Sequence, residues 1–201
     1  MKSFIFSLMG AFLFSSCALQ MWKVKTEELT PYPEFTRFTV MKEVARPIVI
    51  ESIEDARTEK DKLGIVKTGV QYKDTPVYLE GDLAEYLKLN WTDELKRRGI
   101  SLPPEDADYA LKIVLEKLWV KEKIGDDGIE QAECEVGYSF ELNALKEKLP
   151  SWAGTVSGRF ISPGDKSDAT TKVAPTLATC FSIVVEKLMN DPKFQKTLSY
   201  N

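Results

Sequence analysis

Ala132-Glu133-Cys134-Glu135-Val136-Gly137-Tyr138-Ser139-Phe140-Glu141-Leu142 alternates apolar with polar or small residues along its whole length. Successive strand side chains point to opposite faces. Ala132, Cys134, Val136, Tyr138, Phe140 and Leu142 therefore share one face, and Glu133, Glu135 and Glu141 share the other. One face is buried and one is wet, as in an antiparallel sheet covered by helices on one side. Upstream, Tyr109, Leu111, Ile113 and Leu115 alternate in the same way and predict a strand over 108–122. Asp127-Gly128 between the two is a hairpin signal. Downstream, Trp152, Val156 and Phe160, with Gly154 and Gly158 between them, predict a third strand.

Further from this hairpin the period changes. Ala84, Leu87, Trp91 and Leu95 recur at helical spacing, so 82–98 reads as a helix. Asp82 caps it, Glu85 completes a box-like start, Lys96-Arg97-Arg98 suit the negative end of its dipole, and Gly99 stops it. A second helix over 172–190 carries Ala174, Leu177, Ala178, Phe181, Val185 and Leu188 on one stripe, with Pro175 in its first turn. After Asp191-Pro192, residues 193–198 add a short helical turn. Short strands at Ile48–Ile53, Leu63–Val66 and Thr75–Leu79 precede the first helix, the last two joined around Lys73-Asp74. The predicted order is β-β-β-α-β-β-β-α. The fold class is α+β: two layers, a mostly antiparallel sheet with two long helices packed on one face.

The amino terminus has a different grammar. Lys2 is followed by the apolar run Phe4–Phe14 and then Ser15-Ser16-Cys17. This is a secretory leader ending in a lipoprotein-type cleavage site. The run is too short for a bilayer span, which needs about 20 residues. The expected organisation is a signal peptide over 1–16, a lipidated Cys17 and tether over 17–34, and a single periplasmic α+β domain over 35–201. Two or three acyl chains on Cys17 would anchor the chain firmly, because each buried methylene adds about 0.8 kcal/mol. Ala18, where an Asp would favour retention at the inner membrane, points to the outer membrane. Pro31 and Pro33 fit the tether, and Trp22 is suited to the membrane interface.

Composition excludes several classes of chemistry. The chain has no histidine, which removes Ser-His-Asp and Cys-His catalysis and the HExxH zinc pattern. A net charge of −4 argues against nucleic acid. There is no P-loop, GxGxxG, GxSxG or paired CxxC motif, so no cofactor and no metal site is expected. Cys134 and Cys180 are too few for a disulfide framework. An exported chain could join them, but the reading favours two small buried apolar residues.

Few residues invite a functional reading. Asp126-Asp127 belongs to a turn. Glu133, Glu135 and Glu141 belong to a solvated sheet face, and Trp91 and Trp119 to the core. Asp55 and Arg57, which follow the first predicted strand, are the candidate partner-facing residues. Their alternative role is an ion pair that stabilises a turn.

The sequence also contains Asp55-Ala56-Arg57, Leu63-Gly64-Ile65-Val66, Leu95-Lys96-Arg97-Arg98-Gly99-Ile100, Ala107-Asp108-Tyr109-Ala110-Leu111-Lys112-Ile113 and a terminal Met189-Asn190-Asp191-Pro192-Lys193-Phe194. In this order, behind a lipoprotein leader, it resembles the YajG-type lipoproteins of Gram-negative bacteria. The resemblance covers most of 45–198. It implies a compact periplasmic α+β domain and brings no catalytic residue or cofactor. The expectation is a non-enzymatic outer-membrane lipoprotein, held to the membrane through lipid on Cys17 and binding an envelope protein partner in transport or assembly. Two other readings are a lipid- or small-ligand-binding domain with its pocket under the second helix, and an enzyme using paired carboxylates on a glycan.

Overall fold

The hairpin read from the alternating stretch is the longest pairing in the protein. The computed structural model describes residues 21–200 apart from 42, 69–72, 104, 126 and 165–168. The leader, Cys17 and Asp126 lie outside the described residues. Strands β1 (Trp22–Lys25), β2 (Ile48–Asp55), β3 (Gly64–Thr68), β4 (Lys73–Glu80), β5 (Tyr109–Ile124), β6 (Glu130–Ala144) and β7 (Trp152–Ile161) form one sheet. Its order is β1-β4-β3-β5-β6-β7, with β2 also paired to β5. Helix α1 (Leu83–Arg97) links β4 to β5, and α2 (Ala169–Met189) and α3 (Pro192–Leu198) follow β7.

The α+β class holds, with two corrections. The sheet is mixed rather than mostly antiparallel: β1–β4, β2–β5 and β3–β5 are parallel, and β3–β4, β5–β6 and β6–β7 antiparallel. Alternation encodes which face a residue takes but not which way its strand runs; the α1 crossover returns the chain parallel to β3. Among the described residues there are three α-helices rather than two long ones. Asp191 caps α3 by accepting the Lys193 and Phe194 N–H groups at 2.9 and 2.8 Å, and Phe194 packs on Trp152, ring centroids 5.0 Å apart. Helix α2 begins earlier than its stripe suggested, so Pro175 lies inside it and not in its first turn.

The stretch read as a tether contributes to the domain. Trp22–Lys25 adds β1 beside β4, and Val24 is buried. Trp22 packs against the core instead of standing free for a membrane. From Thr26 to Met41 the chain runs as a strap. The Tyr32 N–H donates to Thr179 Oγ1 of α2 at 3.0 Å, and Tyr32 and Phe35 pack on Phe160. No sequence period marked this region, because its partners are distant in the chain.

Helix α1 matches its predicted span, cap and stop. Asp82 accepts the Ala84 N–H at 2.8 Å, and Gly99 takes φ 87° after the last turn. Trp91 meets Tyr138 and Phe140 of β6 edge-on, at 5.4 and 5.3 Å between centroids. Trp119 is not in this core. Strand β5 slips register against β6 between Leu115 and Lys117. Such a bulge reverses which alternate residues face inward. Tyr109, Leu111, Ile113 and Leu115 are buried before it; Leu118 and Val120 are buried after it, and Trp119 turns to the open face.

Cys134 of β6 and Cys180 of α2 are joined by a disulfide, their Cα atoms 6.5 Å apart. This corrects the reading of two unbridged cysteines, since the separation falls in the range a bridge needs. Both are fully buried, so the bond fastens the longest helix to the central hairpin. Replacing both with alanine should lower stability by about 2–4 kcal/mol, the range for removing such a cross-link, measured by urea unfolding.

Candidate functional site

Asp55 and Arg57 stand where the strand beside β5 is interrupted. Strands β2 and β3 run along the same edge of β5, one after the other. The Ala56 N–H donates to the Leu115 carbonyl at 2.9 Å, and the Val120 N–H donates to the Leu63 carbonyl at 2.8 Å. The intervening 57–62 loop therefore lies opposite the β5 bulge. Chain pairing resumes at Gly64, where an added Cβ would come within 1.8 Å of the Val120 carbonyl oxygen; only glycine allows that approach.

Arg57 holds the loop. Its Nε and Nη2 donate to the two Asp55 carboxylate oxygens, each at 2.9 Å, a paired geometry that gives strong ion-pair hydrogen bonds. Nη1 and Nη2 also donate to the carbonyls of Lys62 and Lys60 at 3.1 and 3.2 Å. The Arg57 side chain is only 4% exposed. Partial burial opposes ionisation of Asp55, but its bonds from Arg57 hold the carboxyl below its ordinary value. Arg57 is thus committed to its own loop, and any partner surface here is made by the loop that it shapes. Against that loop lies a cleft of about 340 Å³ between Thr58-Glu59 and Glu116–Trp119. The Lys62 ammonium stands 5.4 Å from the centre of the Trp119 ring.

A second cluster was not visible in the sequence reading. Arg98, fully buried at the end of α1, donates from Nε to Glu94 at 3.2 Å and from Nη1 to Glu186 of α2 at 2.8 Å. Nη1 also donates to the Thr39 carbonyl at 3.0 Å, so one guanidinium joins both helices to the strap. Glu186 accepts further bonds from the Thr39 backbone and hydroxyl and from Asn190. Partial burial disfavours its charge, but these bonds and the one from Arg98 prevail and hold its pKa to about 2. Phe38 lies over Arg98, 4.9 Å from ring centre to guanidinium carbon. Beside it a cleft of about 370 Å³ opens between the strap and the helices, lined by Leu29, Phe38, Leu89 and Phe181 together with the polar Asn90, Asp93, Glu94 and Arg97. The available signal was spacing: Arg98 lies three residues beyond Leu95, on the buried stripe of α1.

Carboxylates of the open sheet face are paired with cations of neighbouring strands at Glu54, Glu133 and Glu135, while Glu141 is exposed. Glu133 is covered by Arg159 and Lys121, Glu135 by Lys117, and Lys112 reaches Glu54 at 3.2 Å. Glu133 is consequently buried and not solvated. Asp127 accepts the Ile129 N–H at 3.0 Å, a turn role. Among the described residues no three acidic or cysteine side chains gather in a metal-binding group, and no helix is long and apolar enough to cross a membrane.

No protein-family model matches the chain, so membership of the YajG-type family is not confirmed. No curated protein matches it. Among solved structures it is similar to a DUF330 protein from Xanthomonas campestris, with 12% identity, TM-score 0.47, and coverage of 84% of this chain and 95% of that one. It is also similar to a PelC dodecamer subunit from Paraburkholderia phytofirmans, with 19% identity, TM-score 0.34, and coverage of 78% and 97%. A minor lipoprotein from Acinetobacter baumannii matches at 9% identity and TM-score 0.31, over 73% and 92% of the two chains. At these scores the likenesses carry no inference about what this chain does.

Two outcomes follow from the ion pairs. Asp55→Ala leaves the buried Arg57 uncompensated and should cost about 3 kcal/mol in urea unfolding, with the 57–62 loop opening to proteolysis. Glu186 has a depressed native pKa, so its contribution is present above its ordinary value of 4.5 and is lost as pH falls through about 2. In acid titrations of stability, Glu186→Gln should lack that portion of the fall between those two values.

Proposed function

We propose that this chain is a non-enzymatic lipoprotein of the bacterial cell envelope, anchored through lipid on Cys17 to the outer membrane. Its periplasmic domain presents the 57–62 loop and the neighbouring cleft to a protein partner in envelope transport or assembly. The observation that carries this reading is the Cys134–Cys180 disulfide. Structural disulfides form and persist in oxidising compartments and are rare in the cytosol. A buried bridge within the core agrees with the export leader that ends at Cys17, although the two features were read from opposite ends of the chain.

A second reading, a lipid- or small-ligand-binding domain, draws on the cleft between the strap and the helices, where apolar side chains stand beside Asp93, Glu94 and Arg97. Its volume falls within the range of small-molecule sites. The space under α2 does not favour it, because Val173, Leu177, Cys180, Val184 and Leu188 are packed to completion there.

The test is expression of the full chain in a Gram-negative host, with membrane fractionation, mass spectrometry of the mature amino terminus, and crosslinking in the cell. The wild type should be processed at Cys17, carry acyl chains and capture a reproducible protein. Cys17→Ser should accumulate as an uncleaved or mislocalised precursor. Normal processing and membrane attachment of that variant would overturn the lipoprotein reading; capture of lipid alone would favour the second one.

A further inference from the structure

Strand β7 stands at one end of the strand order, so among the described residues one side of its backbone has no strand beside it. Its ten residues pair with β6 without a register shift. Just beyond them the Ser162 N–H donates to the Ala132 carbonyl at 2.8 Å. Bonding in an antiparallel pair alternates from residue to residue. The even-numbered residues from Trp152 to Phe160 therefore bond to β6. Ala153, Thr155, Ser157, Arg159 and Ile161 turn their N–H and C=O groups outward. An edge of this length, with no proline and no bulge, invites another strand. Strand β1, at the other end of the order, offers only four residues.

The edge is complementary to itself. A second β7 laid antiparallel, Ser157 opposite Ser157, sets Thr155 opposite Arg159 and Ala153 opposite Ile161. Every outward group then has a partner. On the helix side Phe160 falls opposite Gly154, and Val156 opposite Gly158, so no two large side chains are set directly opposite. Arg159, the only charged residue of β7, meets a threonine rather than another cation. One contact stands in the way. Lys187 of α2 reaches over the edge, and its ammonium donates to the Ser157 carbonyl, the middle outward position, at 2.7 Å. Among the described residues Lys187 makes no ion pair: Glu186 is bonded to Arg98, and Asp191, four residues on, caps α3. Paired strands stand about 4.8 Å apart. Two such ammoniums would then lie within about 10 Å of each other, about one screening length in 0.1 M salt. Lysine on an edge strand is a known guard against pairing.

We propose that the outer edge of β7 is a strand-pairing surface for a second copy of this chain, and that the Lys187 ammonium on the Ser157 carbonyl holds two copies apart. Neutralising that one side chain joins two sheets through β7. The surface is separate from the 57–62 loop and does not depend on how the chain is anchored. Phe35, which is 45% exposed and packs on Phe160, flanks the same edge.

Full-length wild type, Lys187→Ala, Lys187→Arg and a double variant carrying Lys187→Ala with Thr155→Pro would be compared in an excess of detergent micelles. Circular dichroism would first establish that each is folded, and light scattering would then give the protein mass. Lys187 is exposed, and Thr155→Pro removes an outward N–H but no bond to β6. The wild type and Lys187→Arg should be single copies. Lys187→Ala should show a two-fold increase in mass, and the double variant should lose it. Lys187→Ala remaining a single copy would overturn the proposal. A doubled mass that survives Thr155→Pro would also overturn it, because the copies would then meet elsewhere. Pairing of Lys187→Arg, or of the wild type, through an edge that Thr155→Pro closes would overturn the role given to the charge.

Discussion

The pairing of β5 with β6 runs from Tyr109 opposite Ala144 to Ile124 opposite Glu130, and it slips once, at Glu116. Almost everything else in the domain is arranged around that slip. Before it the odd-numbered residues of β5 face the helices; after it the even-numbered ones do. The strand on the other side of β5 breaks at the same level, so β2 ends and β3 begins across a loop held by Arg57. A bulge bends and twists its strand, and here it separates two lengths of sheet with different neighbours. Trp119 is delivered to the open face by the same event, beside the loop that covers the break.

The buried charges act at the joints. Arg57 holds the interrupted edge to itself, and Arg98 gathers α1, α2 and the strap around one guanidinium. Ion pairs of this kind are not an efficient source of stability, because desolvation offsets most of their attraction, yet removing one partner is costly. Their effect is to define one arrangement of segments that hydrophobic contact alone would leave free to slide. The strap illustrates this: its Phe35, Phe38 and Val40 are each nearly half exposed, so its position owes much to the polar contacts of Tyr32 and Thr39.

Trp22–Lys25 and the strap that follows it fold onto the domain, although sequence composition assigned this stretch to a tether. The disulfide and the packed face of α2 fasten that helix to the central hairpin, and clefts lie at the strand break and under the strap.

The sequence by itself determined the elements whose signal is local. The alternation of 132–142 and 109–115 identified the hairpin, the spacing of Leu87, Trp91 and Leu95 identified α1, and Asp82 and Gly99 marked its ends. Asp55-x-Arg57 was legible as a pair, because two residues so close in the chain meet without help from the fold. Only the tertiary structure decided what depends on distant partners. Strand direction, the position of β1, the Cys134–Cys180 bond and the Arg98–Glu186 contact each join residues whose separation in sequence carries no period. The bulge belongs with them: a single extra residue in β5 leaves composition unchanged and yet reverses the facing of every side chain beyond it, so Trp119 reads as core in one dimension and lies on the open face in three.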